Sequence, residues 1–323
     1  MALAGLENND LKLIIFGGKG GVGKTVCAIA TALSLSENFK TLLISTDPAH
    51  SVSDCLEQKI GFKAVKVDGT ANMWALEVDA DKALSDFKTE HRNELKKLFD
   101  TSTNLDNDDI DKMLDLSIPG IDEMMSFKTI IDFIEEGGYD KYVVDTAPTG
   151  HALRLISSPK ILDDWIKVAA RMRWKYRYMV TSFSGSYQQD EVDAFLLRLK
   201  KMVKRIENLL KDKTKCEFIP VCIPEAMAIM ETGRLLANLS ASGIIARQII
   251  VNNVMVSDDG DFCKKIKAAQ LPYLQEIKET FNNLNITEAP KFSEEIKGLE
   301  ALNKLRISLF GDKPINPSTY QRK

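Results

Sequence analysis

Residues Gly18 to Thr25 read GKGGVGKT, and they stand between the apolar run LKLIIF (Leu11 to Phe16) and the helically periodic stretch TVCAIATALSLSE (Thr25 to Glu37). A G-x-x-x-x-G-K-[ST] pattern after a strand and before a helix describes a phosphate-binding loop. Gly18, Gly20, Gly21 and Gly23 let backbone N–H groups close around phosphate oxygens, and the helix N-terminus adds its positive end. Lys24 is placed to reach the β- and γ-phosphates and Thr25 to ligate Mg²⁺.

Working outward, short β-branched or aromatic runs recur at Leu13 to Phe16, Leu42 to Ser45, Trp74 to Val78, Tyr142 to Val144, Phe218 to Ile223 and Gln248 to Val251. Helical stretches separate them, so the expected fold is α/β, a doubly wound, mostly parallel sheet with ligands at the carboxyl ends of its strands. Two stretches, 81–135 and 152–212, read as helical without strands. They are expected to form one inserted α-helical subdomain, with 1–80, 136–151 and 213–323 as the ATPase core of P-loop NTPase type.

Two further strand ends point at the same crevice. After LLIS comes Thr46-Asp47-Pro48-Ala49-His50-Ser51, where Asp47 is expected to orient or deprotonate an attacking water. After YVV comes Asp145-Thr146-Ala147-Pro148-Thr149-Gly150-His151, which puts Asp145 behind Mg²⁺. Either aspartate alone would read equally as a helix cap; three such loops on strand ends favour catalysis. In IIVNNV, Asn252 offers an amide that pairs with both donor and acceptor of adenine, or serves turn chemistry.

Composition narrows the function classes. The chain has 323 residues and a net charge of -3 from 43 basic and 46 acidic side chains, so no global field points to nucleic acid. No apolar run approaches the roughly 20 residues that span a bilayer, and Met1 to Asp10 is too short and acidic for a signal peptide; a cytoplasmic protein is expected. Five cysteines without a CxxC pair suit reduced thiols. The stretch RMRWKYRYM (Arg171 to Met179) mixes cations and aromatics, and reads as a groove flank rather than a nucleic-acid platform.

The loop form GKGGxGK[ST], with Lys19 as a second lysine, resembles the deviant P-loop class of partition, nitrogenase-reductase and arsenical-pump ATPases. The DPAHS loop, DTAPTGHALRLISSP (145–159), PGIDEMMSF (119–127), IPEAMAIMETGRLLANL (223–239) and EEIKGLEAL (294–302) narrow this further. Together they resemble the arsenical pump-driving and tail-anchored-protein targeting ATPases, in order from about residue 12 to about 305. The resemblance implies a homodimer that closes on ATP and Mg²⁺, with Asp47 activating water and Asp145 to Gly150 as a second switch. It implies Lys19 reaching across the dimer, Asn252 reading adenine, and a nucleotide cradle of Gly18, Lys19, Gly20, Gly21, Val22, Gly23, Lys24, Thr25, Val26 and Asn252.

Within that family, arsenite pumps carry cysteines in their helical insertions. Here no cysteine lies between Cys55 and Cys216, so an arsenite site lacks soft ligands. The resemblance therefore favours the targeting members, whose insertions hold apolar transmembrane helices and which dock a membrane receptor at the place of 223–239. Met113, Met124, Met125, Met172, Met179 and Met202 are candidates for an adaptable client surface. Targeting members commonly share zinc through a CxxC; here only Cys263 is present, two thiols per dimer, and zinc is not expected. The alternatives are the ATPase of an arsenite or antimonite pump, and a partition or scaffold ATPase on DNA or a membrane surface.

Overall fold

The computed structural model describes residues 2–47, 49, 51–100, 121–147, 149–184 and 189–311. Eight strands form one sheet: β1 (Leu13–Gly17), β2 (Thr41–Ser45), β3 (Val65–Lys66), β4 (Met73–Glu77), β5 (Lys141–Asp145), β6 (Cys216–Cys222), β7 (Gln248–Val254) and β8 (Asn285–Pro290). Their order is β3-β4-β2-β5-β1-β6-β7-β8, and every pairing is parallel except β3 with β4. From β1 the chain crosses to β2 on one side, and from β5 it crosses to β6 on the other. The winding reverses at β1, which opens a crevice at its carboxyl end.

All residues of β1, β2, β5 and β6 are buried, as a parallel sheet covered on both faces requires. Alternate side chains serve two layers. On β7, Ile250 joins the core that contains α1 (Lys24–Leu35) and α10 (Gly298–Phe310), whereas Ile249 and Val251 join Ala228 and Ile229 of α8 (Ala226–Ala241) and Ile277 of α9 (Gly260–Thr280). The remaining helix of this layer set is the short α2 (Ser51–Leu56). The six runs read from the sequence are all strands; β3 and β8 carry no such run and were not foreseen.

Contacts divide the chain into two compact units. Met1–Val78, Phe133–Leu153 and Leu210–Lys323 make the first, and Asp79–Asp132 with Arg154–Leu209 the second. The first contains the whole sheet. The second is helical, drawing on α3 (Ala80–Glu90), α4 (Arg92–Asp100), α5 (Ile121–Glu136), α6 (Thr149–Ser184) and α7 (Glu191–Lys211).

Helix α7 organises the second unit. Its Phe195 ring meets Phe87 and His91, its Arg198 pairs with Glu94 at 3.2 Å, and its Glu191 pairs with Lys97 at 2.7 Å. From α6, the buried Arg173 donates to Asp190 and lies 3.5 Å from Asp193.

One sequence expectation changes here. Met124, Met125 and Met202 are buried, because they fall on the inward stripes of amphipathic helices. Met113 and the side chains of Met172 and Met179 lie outside the described residues. The RMRWKYRYM cations are also partly spent: Arg173 is inside, and nearby Lys167 pairs with Asp163 at 2.7 Å. Trp174 and Tyr178 stay 65% and 69% exposed and stack on one another. Among the described residues, no helix is long and apolar enough to cross a membrane.

Candidate functional site

β1 ends at Gly17, and the loop Gly18 to Gly23 turns directly into α1. Two strands beneath it dictate glycine. Gly18 has φ +154°, and a Cβ there would sit 2.3 Å from the Val221 carbonyl oxygen of β6. Gly23 has φ +90°, and its Cβ would meet Asn252 Nδ2 of β7 at 2.3 Å. A backbone carbonyl does not move aside as a side chain does. Gly18→Ala is therefore expected to distort the loop at a cost of about 1–3 kcal/mol and to weaken nucleotide affinity about 10- to 100-fold in a fluorescent-nucleotide titration, with the sheet intact.

The first two residues of α1 face the crevice. Lys24 is 5% exposed, and its ammonium group donates to the Lys19 carbonyl at 3.2 Å. Burial pushes its pKa down, against the pull of Asp145 and Asp47. Thr25 Oγ1 donates to Asp145 Oδ2 at 2.7 Å and contacts Ser51 Oγ at 3.2 Å. Asp145, at the end of β5, is fully buried. Burial raises its pKa to about 7, opposed by the Thr25 bond and by Lys24, and its Oδ1 has no hydrogen-bond partner.

Register explains the convergence. Asp145 lies across from Phe16 on one side and Ser45 on the other, so the three strand ends finish level. Thr146 Oγ1 donates to the Phe16 carbonyl at 2.7 Å, and Thr46 N donates to the Asp145 carbonyl at 2.9 Å. Asp47 follows β2; its N–H donates to Ser45 Oγ at 3.2 Å, and its Oδ1 accepts from Ala49 N at 3.1 Å. Pro48, His50 and Pro148, with the side chains of Thr149, Gly150 and His151, lie outside the described residues.

Asn252 is 2% exposed and turned toward the loop, its Nδ2 donating to the Val22 carbonyl at 2.9 Å while its Oδ1 is buried without a partner. The turn-like backbone belongs to Asn253, at φ +59° beside a bulge in β7. Lys19 is half-buried, and its ammonium group has no partner among the described residues. Gly20 and Gly21 are exposed at the loop crest, with Val22 buried beneath them and Val26 half-buried on α1.

Sequence reasoning missed three residues. Ser51 completes the hydroxyl pair with Thr25, and its signal was its place in the DPAHS loop. Glu77, buried at the end of β4, accepts from both Ser53 N and Ser53 Oγ at 3.1 Å, which fixes the start of α2. Thr146 ties two strand ends together. A charged strand terminus such as Glu77 gives no sign in sequence that its partner lies 24 residues away.

This set fits a metal-bound polyphosphate. A loop in which a Cβ at Gly18 or Gly23 would clash, a buried ammonium group that among the described residues holds only a carbonyl, and a buried carboxylate with an orphaned oxygen next to two hydroxyls together suit such a ligand, and the last two call for compensating charge. A P-loop nucleoside triphosphatase is the class defined by the fold and by this site.

The comparisons place the chain within that class. The family profile described as anion-transporting ATPase matches residues 11–311. The chain is 35% identical over 313 residues to "ATPase ASNA1 homolog 2" of Paramecium tetraurelia, covering 93% of each. It is 32% identical over 324 residues to "ATPase get3" of Neurospora crassa, covering 97% of this chain and 94% of that one. The chain belongs to the anion-transporting ATPase family, and it is an ATPase.

Proposed function

We propose that the chain works as a MgATP-hydrolysing homodimer that captures and releases the apolar transmembrane helices of tail-anchored membrane proteins for delivery to a membrane. The observation that carries the nucleotide half is the bond from Thr25 to a buried Asp145 with one oxygen unpartnered. Thr25 would hold Mg²⁺ with Asp145 behind it, and the ion would supply positive charge at the β- and γ-phosphate oxygens.

The chain's own groups do the rest. Loop amides from Gly18 to Val26 bind phosphate oxygens, and Lys24 leaves the Lys19 carbonyl to meet them. That exchange restores the charge that burial disfavours. Asp47, with Oδ1 held by Ala49 N, keeps Oδ2 for a proton of the attacking water. Asn252 Oδ1 accepts from the adenine amino group. Lys19, whose ammonium group has no partner among the described residues, extends toward the nucleotide of the second subunit. Lys19→Ala is expected to lower turnover about 10³-fold while leaving ATP affinity of the isolated subunit unchanged; stopped-flow hydrolysis across a concentration series separates the two effects.

The client half rests on the motif resemblance, on the absence of cysteine between Cys55 and Cys216, and on the place of 223–239. In that stretch Met227 and Met230, one turn apart on α8, are 55% and 51% exposed, which suits an apolar contact with a membrane receptor. Since Met124, Met125 and Met202 are buried, the client groove is assigned to the second unit as a whole and not to those methionines.

The test measures hydrolysis and complex formation in parallel with a solubilised tail-anchor peptide, with arsenite, and with DNA. The peptide should form an ATP-dependent complex with a dimer. Stimulation by arsenite alone would transfer the reading to pump-associated hydrolysis, and by DNA alone to a partition role.

A further inference from the structure

The second unit contains a cavity of about 690 Å³ lined by the end of α3, by Lys128 of α5 and by α7. That volume lies in the range of clefts that hold small organic ligands, roughly 300–1,000 Å³. Its floor is aromatic and apolar. Phe87 and His91 meet at 4.9 Å between ring centroids, and His91 and Phe195 at 5.0 Å. Leu199 and Met202 continue the floor along α7.

Helical spacing produces a second, different stripe beside it. Phe195, Leu199 and Met202 recur at i, i+4 and i+7, whereas Arg198, Lys201 and Arg205 occupy the adjoining face. With Lys128 and Lys204, five cations border the cavity against one carboxylate, Glu90. Three of the five are committed, Lys128 to Asp132 at 2.7 Å, Arg198 to Glu94 at 3.2 Å, and Arg205 through an interaction of its own. Lys201 and Lys204 are exposed one turn apart and have no hydrogen-bond or ion-pair partner among the described residues.

An uncharged transmembrane helix gains nothing from cations at the mouth, and a polyanion has no use for a buried aromatic floor. Both features together match one class of molecule. We infer that this cavity binds a single-chain lipid with an anionic head, its chain against Phe87, Phe195 and Met202 and its head between Lys201 and Lys204. The cavity lies within the unit assigned to clients, but its occupant and the test of it do not depend on that reading.

Calorimetric titration of the full chain below micelle formation tests this, with oleate, oleoyl-lysophosphatidate and oleoyl-lysophosphatidylcholine as probes. Oleate or oleoyl-lysophosphatidate should saturate at one molecule per chain, and the stronger of the two identifies the head as carboxylate or phosphate. The zwitterionic probe should bind about tenfold more weakly or worse. Lys201→Glu combined with Lys204→Glu, both on the surface, should keep the melting temperature and ATP turnover while weakening the anionic probes by about tenfold or more. No saturable binding, equal binding of all three probes, or binding unchanged in the double variant would each overturn the assignment.

Discussion

Asp47→Asn should leave MgATP binding intact and lower turnover about 10²- to 10⁴-fold, the range that a positioned general base supplies. The substitution preserves the shape of the loop, because an Asn side-chain oxygen can still accept from Ala49 N, the bond that aligns the group at 3.1 Å. What it removes is the second oxygen's capacity to take a proton. Single-turnover hydrolysis alongside equilibrium nucleotide binding separates the two effects. Unchanged turnover would remove Asp47 from the chemistry, and lost binding would make it a structural part of the loop.

Asp145→Asn should do the reverse to stability and function. Burial raises the Asp145 pKa from 3.8 to about 7, so the folded protein holds a proton that the unfolded chain has lost. Such a group contributes stability that is full below about pH 4 and is lost as pH rises through about 7. Asparagine removes the titration and can still accept from Thr25 Oγ1. The ligand-free variant should therefore be more stable than the parent at pH 8, by about 2–4 kcal/mol at most, with the advantage fading toward pH 4.

Lys24 limits the gain, since Asp145 is the main charge opposing its desolvation. The same variant should need about 10- to 100-fold more magnesium for half-maximal hydrolysis, as expected when a group orienting a metal ligand loses its charge. Calorimetry across pH and a magnesium titration read the two effects separately. A variant less stable than the parent at pH 8 would show that the carboxylate is ionised and compensated in the folded protein.

The contrast between Lys141 and its neighbours shows where legibility stops. The run Tyr142 to Val144 marks a strand by its apolar character, and charge excluded Lys141 from it. The structure includes Lys141 in β5 with its ammonium group donating to the carbonyls of Asn8 and Leu11, and burial lowers its pKa to about 8. β8 was hidden for a related reason. Its sequence NITEAP has loop composition, and only pairing along β7, at the sheet edge where Pro290 costs no ladder bond, makes it a strand.

The local pattern alone determined the phosphate loop, the alternation of strand and helix, and the aspartates at the carboxyl ends of β2 and β5, because each depends on neighbours within a few residues: glycine spacing, apolar periodicity, a carboxylate at a strand end. Tertiary structure decided which groups meet. Thr25 reaches Asp145 across 120 residues and Asn252 reaches Val22 across 230. It also decided that the described methionines of the second unit face inward and that two α7 lysines face a cavity with no partner among the described residues. Burial, and with it the shifted pKa of Asp145, is a property of everything packed around a side chain, and no stretch of sequence states it.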